Sequence, residues 1–445
     1  MRFARGAKIV VLAFLLAWIT VAFWNAGKPM PPGTHVISPT ARVSDADIDF
    51  LVDVRRHARV LSEQLAAVDR AEQLIVLDQS PLSSTTLEHL VARMHLRPNL
   101  KAILITDPGN EVFGGTPAQY LTSLENAGLL VARVRLDRLR DSNALYSSLW
   151  RLCVGWWSDP FDEIPGKVTL PAWLRSFNFK SDTRQVLVAD DGAGGWVSII
   201  AAAAEVAAPG SASQDNAAVL NTALLIRGTV AHDIAASELQ IAGWSADDDR
   251  LPSAPPAGGR GVGSVDVRFL TEGAIAAASL DAIAAARGND QIYLAAARVS
   301  DRRFIDAALA AAARGVRLQV LLDPNQFPNA AVGSELIREG SGHVEVHWFP
   351  SDRRFMLTKL LIVRHGNDLW ANLGSANFTR RDLADFNLSA AIEIRLPARA
   401  LTARAITDYF NKIWLAAGVY SASADEPRAG YWRYRLMEAS GLSSF

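Results

Sequence analysis

Along most of this chain, short apolar runs rich in β-branched residues alternate with stretches of helical period. In the first half, Leu74 to Leu77, Ala102 to Thr106, Leu129 to Leu136 and Val186 to Ala189 predict strands, and Ser84 to Met94 and Pro117 to Ala127 predict helices. The order recurs further on. Strands are expected at Gln291 to Ala295, Val316 to Leu322, Val344 to Phe349, Leu360 to Val363 and Trp370 to Leu373, with helices at Asp301 to Ala313, Val332 to Glu339 and Arg399 to Trp414. Strands alternating with helices of this length indicate an α/β architecture, with mixed or parallel sheets flanked by helices. Both halves also contain a buried-strand pattern ending in Asp-Pro: AILITDP at Ala102 to Pro108 and LQVLLDP at Leu318 to Pro324. With the matching element order around it, this pattern predicts duplication into two similar lobes and a site at their interface.

The amino terminus departs from the pattern. Arg2, Arg5 and Lys8 precede an uncharged run from Ile9 to Trp24, which reads as a signal peptide or a single membrane anchor. Cleavage after Ala26 would place Trp24 at the -3 position, where a small residue is needed, and this favours the anchor. The run gives roughly 24 Å of helix against a bilayer core of about 30 Å, and Trp18 and Trp24 suit the interface. Positive residues on the short amino-terminal side predict a single-pass protein whose globular part lies on the periplasmic or extracytoplasmic side. Between the halves, DDDRLPSAPPAGGRGVG (Asp247 to Gly263) has the composition of an exposed linker. The expected organisation is anchor or signal at 1–28, first lobe at 29–246, linker at 247–263 and second lobe at 264–445.

Composition narrows the function. A chain of 445 residues, half apolar and one-fifth charged, is globular and long enough for two cores. Basic and acidic residues number 45 and 46, so the basic excess of a general nucleic-acid binder is missing. Cys153 stands alone, which excludes an intrachain disulfide and a cysteine-based zinc site; it is expected to be buried. No metal-ligand spacing occurs, and neither metal nor cofactor is expected. Arg133, Arg135, Arg138 and Arg140, in VARVRLDRLR, read as one solvated strand face; Trp150, Trp156 and Trp157 read as packing residues.

The sharpest segment is FMLTKLLIVRHGNDLWANLGSANFTRRDL, Phe355 to Leu383. It resembles the second half of the phospholipase D superfamily, in which two His-x-Lys-x4-Asp motifs are each followed by a Gly-Ser-x-Asn turn. The resemblance extends to Asp301–Asn325 and, in the first half, to Ile105–Gly115 and Phe177–Val197, and is strongest to bacterial phosphatidyltransferase-like members. It implies two phospholipase D-like lobes and a metal-free mechanism. One histidine attacks phosphorus, the other protonates the leaving alcohol, and lysine and asparagine side chains stabilise the transition-state oxygens.

At the decisive positions this chain departs from the motif. The second frame falls on Leu357, Lys359 and Arg364, and the first on Thr183, Gln185 and Asp190. Both histidines are absent, and Ile199 to Ala208 replaces the first lobe's turn. None of the eight histidines is followed two residues later by lysine. The resemblance therefore implies a degenerate, inactive or impaired phosphodiesterase site. Lys359, Ser375, Asn377 and Arg380 are the candidate contacts for an anionic phospholipid headgroup or phosphodiester. Two alternatives stand beside this reading. One is an active phosphodiesterase or phosphatidyltransferase working through Thr183, His347, His365 or Asp190; the other is a scaffold that binds a partner protein.

Overall fold

The computed structural model describes the chain except residues 1, 55–58, 81, 113–117, 155–169, 171–172, 175–176, 179, 204–217, 247–249, 257–258, 350–353, 418–427 and 441–445. Before the linker the strands are β1 (Ala41–Val43), β2 (Ile48–Val54), β3 (Leu74–Gln79), β4 (Lys101–Thr106), β5 (Leu130–Arg133), β6 (Gln185–Asp190), β7 (Trp196–Ala201) and β8 (Ala218–Arg227). After it come β9 (Val265–Thr271), β10 (Gln291–Ala296), β11 (Arg317–Leu322), β12 (Val344–Trp348), β13 (Arg354–Met356), β14 (Lys359–His365), β15 (Asp368–Gly374) and β16 (Ala390–Pro397).

The two eight-stranded sheets repeat one plan. In the first, β5, β4 and β3 run parallel, and β6, β7, β8 and β2 continue the sheet antiparallel. In the second, β12, β11 and β10 are parallel, and β14, β15, β16 and β9 continue antiparallel. The helices match as well. Arg59–Arg70 follows β2 as Gly273–Ala285 follows β9, and Val230–Ala246 follows β8 as Leu401–Ala417 follows β16.

Alternation along the strands puts apolar side chains on both faces of each sheet, as parallel α/β sheets require. Val76, Ile103, Val186, Tyr293, Leu360 and Ile392 point into a core between the sheets, shared with helices Val230–Ala246 and Leu401–Ala417. The outer face of each sheet packs on its own helices.

Two strands cross the lobe boundary. β1 pairs antiparallel with β9, and β13 pairs parallel with β8, so each sheet takes a strand from the other half of the chain. The two halves, expected to be separate lobes on either side of residues 247–263, thus share strands and their sheets interlock.

Local expectations change in three places. The strand expected over Leu129 to Leu136 ends at Arg133, because Leu136–Arg138 turns as a 3-10 helix. Its arginines therefore do not share a face: Arg133 pairs with Glu125, whereas Arg140 donates to Lys28 O and Asp385. Cys153 is exposed rather than buried, at the end of helix Ala144–Cys153. Trp150 is half-buried on that helix, and Trp156 and Trp157 lie outside the described residues. Among the described residues, one helix, Gly6–Gly27, is long and apolar enough to cross a membrane.

Candidate functional site

Both lobes deliver their motif strands to the seam in the same way. Ahead of β6, Thr183 N donates to Leu388 O at 2.8 Å; ahead of β14, Leu357 N donates to Leu220 O at 3.0 Å. Each strand entry is thereby pinned to the last strand of the opposite lobe, or to the residues leading into it. Thr183 and Leu357, which the motif resemblance places in the two histidine positions, are both half-buried. The Thr183 hydroxyl donates to Leu388 O at 2.8 Å and lies 3.0 Å from Ser389 Oγ, so it is engaged in closing the seam. Leu357 carries no group that can attack phosphorus or move a proton.

Lys359 opens β14 opposite Ala296 of β10 and is 8% exposed. Its ammonium donates to Ala202 O across the seam at 2.6 Å. Ala202 N donates to Thr222 O, as Ser375 N donates to Ala390 O, both at 2.8 Å; Ala202 is thus the first lobe's counterpart of Ser375. Burial lowers the Lys359 pKa to about 8, against the pull of Asp382 and reinforced by Arg298.

Two arginines join it. Burial lowers Arg381 to about 9 and also lowers Arg298, with Asp382 opposing both. Asp382 is the carboxylate common to all three cations; Asp323 bears on Arg298, and Glu438, itself pushed up by burial to about 7, bears on Arg381. Asp382 is held in place by Asn377, whose backbone and side-chain N–H groups donate to Oδ2, and by Asn387, which donates to Oδ1. Arg298 donates to Gln326, while its buried Nε–H has no partner. A desolvated cluster of three cations around one shared carboxylate, with an unpaired guanidinium donor, is electrostatically complementary to an anion.

Other expected site residues lie elsewhere or are already committed. The Ser375 hydroxyl staples β15 to β16 by donating to Ala390 O and accepting from Ala390 N. Arg380, expected in the pocket, turns away: its guanidinium lies 5.0 Å from the Phe386 ring centroid and donates to Glu438 O. The Gln185 amide donates to Ser80 O. Asp190 and Arg364 sit at the far ends of β6 and β14, five residues and roughly 16 Å along the strand from Gln185 and Lys359. There Asp190 accepts from the backbone N–H groups of Glu72 and Gln73, and Arg364 is exposed. Asp190 is therefore held at the opposite end of its strand from the seam where Lys359 lies. His347 stacks on Trp414 at 3.8 Å between ring centroids and bonds Glu345; His365 bonds Asp290.

Between the motif positions Thr183 and Gln185 stands Arg184, fully buried. Its guanidinium donates to Glu238 at 2.9 Å, to Glu272 at 2.7 Å, and to Ser237 Oγ and Gly33 O. Glu272 belongs to the second lobe and accepts from Ser389 N and His35 N. Asp78 and Asp182 stand beside this network, both raised by burial and by neighbouring carboxylates. Neither Arg184 nor the Arg298–Arg381 pair is part of the motif. Arg184 and Arg298 are signalled in the sequence only as arginines flanking an apolar strand run, a position that burial makes costly without a role, and Arg381 lies in the short helix Arg380–Leu383 with no such signal.

Residues 280–414 match the family model described as the cardiolipin synthase, PLD-like domain. No curated protein matches the chain in sequence. Among solved structures, the phosphatidylserine synthase of Haemophilus influenzae Rd KW20 is similar at TM-score 0.59 and 12% identity, covering 95% of this chain and 98% of that one. The polyphosphate kinase of Porphyromonas gingivalis is similar at TM-score 0.50 and 12% identity, covering 89% of this chain and 54% of the kinase, so this chain spans about half the kinase's length.

Proposed function

On the premise that this chain has the phospholipase D superfamily fold, with a PLD-like domain in its second lobe, we propose that it is a membrane-anchored phosphate-binding relative that has lost the covalent chemistry. Its ligand is an anionic phospholipid headgroup or another phosphodiester, held by Lys359, Arg298 and Arg381 with Asn377 beside them. The observation that carries this reading is the buried cation cluster around Asp382, next to a seam occupied by Leu357 and Thr183. Removing one member of a cooperating catalytic set costs orders of magnitude, and here both nucleophile and acid positions are replaced.

Likeness to phosphatidylserine synthase favours a phospholipid ligand and keeps an enzymatic reading in view. Against it stand the engaged Thr183 hydroxyl and the commitments of His347 and His365 to other carboxylates. The test assays the full chain in detergent for turnover of phosphatidylglycerol and a chromogenic phosphodiester. A Thr183→His, Gln185→Lys, Leu357→His, Arg364→Asp variant runs beside it. Silence of the wild type, with headgroup binding lost on Lys359→Ala, is expected; wild-type turnover abolished by Lys359→Ala would overturn the reading. A gain by the variant would show that the scaffold still positions the superfamily's chemistry.

A further inference from the structure

The apolar helix Gly6–Gly27 does not leave the globular body at its end. Its last two turns pack on helix Ala144–Cys153 through Trp18, Val21, Ala22 and Asn25, which are half-buried or buried, whereas Ile9 to Ala17 are exposed. The Trp18 indole N–H donates to Leu145 O at 2.8 Å, and Asp141 N donates to Asn25 O at 3.0 Å. At 1.5 Å per residue the 22-residue segment rises about 33 Å, hardly more than the roughly 30 Å of bilayer hydrocarbon. A spanning helix therefore needs Trp18 to Asn25 inside the hydrocarbon, which leaves Trp24 but not Trp18 near the interface, and whatever packs on those turns must enter with them. Leu145, level with Trp18, would lie on the order of 13 Å inside the segment's end.

Helix Ala144–Cys153 has the surface for that position. Leu145 (58% exposed), Leu149 (39% exposed) and Cys153 recur every four residues on one outward face. Leu170 and Trp173 are exposed apolar residues of the segment that follows. The polar side points inward: Ser147 donates to Asn178, and buried Asp141 is paired with Arg151 and Lys180.

We propose that the face formed by Leu145, Leu149 and Cys153 is embedded in the lipid leaflet beside the amino-terminal helix. The occupant is the acyl region of the bilayer. The embedded helix also orients the seam. Asn178 and Lys180, which Ser147 of this helix and Asp141 and Ser142 just before it tie down, lead within five residues to Thr183 at the seam. This inference rests on the anchor being retained in the mature chain.

Cys153 is the only cysteine, so the unaltered full chain can carry a single environment-sensitive fluorophore. The labelled chain is reconstituted in phosphatidylcholine–phosphatidylglycerol vesicles. Companion chains move the cysteine to 149 (Cys153→Ser with Leu149→Cys) or to 262 (Cys153→Ser with Val262→Cys), the latter 97% exposed. Probes at 149 and 153 are expected to be quenched by lipid-borne spin labels and spared by aqueous iodide, with the reverse at 262. Iodide quenching at 149 and 153 equal to that at 262 overturns the inference. Shielding from both quenchers also overturns it, and would assign the face to a protein partner. Intact mass separates the two premises: a mature chain lacking the first ~27 residues defeats anchor and embedding together. A retained helix with aqueous probes defeats the embedding alone.

Discussion

The ammonium of Lys359 donates to the carbonyl of Ala202, the residue that stands in the first lobe where the second has Ser375. One lobe's surviving cation thus rests on the other lobe's lost turn. The bond leaves two further donors on the ammonium, which is why Lys359 can both close the seam and meet a ligand oxygen.

Anion binding should follow the charge of that lysine. Its pKa is lowered to about 8 in the folded protein, and a bound anion would raise it. Affinity for a glycerophosphodiester, whose own charge is constant over this range, is then flat below about pH 8 and falls up to about tenfold per pH unit between about pH 8 and 9, above which Arg381 adds to the loss. Calorimetric titration from about pH 6.5 to 9.5 checks this. An affinity unchanged through about pH 9 would exclude Lys359 from the contact.

Thr183→Val should act on stability alone. It removes the hydroxyl bonds to Leu388 O and Ser389 Oγ and is expected to cost about 1 kcal/mol in urea unfolding. Headgroup binding should stay within twofold of wild type. A large binding defect would make Thr183 a ligand contact.

Breaking the Arg184 network from one side should be costly. Glu272→Ala leaves a buried guanidinium short of one counter-charge across the lobes and is expected to destabilise by about 3–5 kcal/mol. Replacing Arg184, Glu238 and Glu272 together by apolar residues of similar size should cost much less. Thermal unfolding of both variants tests the pair of expectations.

Asp78 should destabilise the fold increasingly as pH rises. Its pKa is raised by burial, by Asp182 and by Glu238, so the unfolded chain releases its proton first. Stability contributed by the protonated form is therefore lost as pH climbs above the usual carboxylate range. Asp78→Asn should gain stability relative to wild type at pH 8 and gain less at pH 5. Equal effects at the two pH values would refute the assignment.

The strand runs of the second half are directly legible, because β10 and β14 are buried along most of their length and their apolar stretches are continuous. The duplication showed through AILITDP and LQVLLDP for a physical reason: Asp107 and Asp323 each close a strand end by accepting a backbone N–H two residues on. What escaped was long-range. Nothing near Arg184 in the sequence announces partners at Gly33, Glu238 and Glu272. Likewise, the triplet Lys359, Arg298 and Arg381 forms only when β10 and β14 pair. Arg380 and Arg381 are neighbours that the short helix Arg380–Leu383 sends to different sides, a distinction that motif spacing does not carry.

The exchanged strands set an order on biogenesis. The first sheet gains its β13 strand only when Arg354–Met356 arrive, more than a hundred residues after β8 has been made. The second sheet must keep a place beside β9 for β1, which is among the earliest strands synthesised. Neither lobe can therefore finish while the polypeptide is still short, and a cut in the linker after folding would leave two fragments that stay laced together.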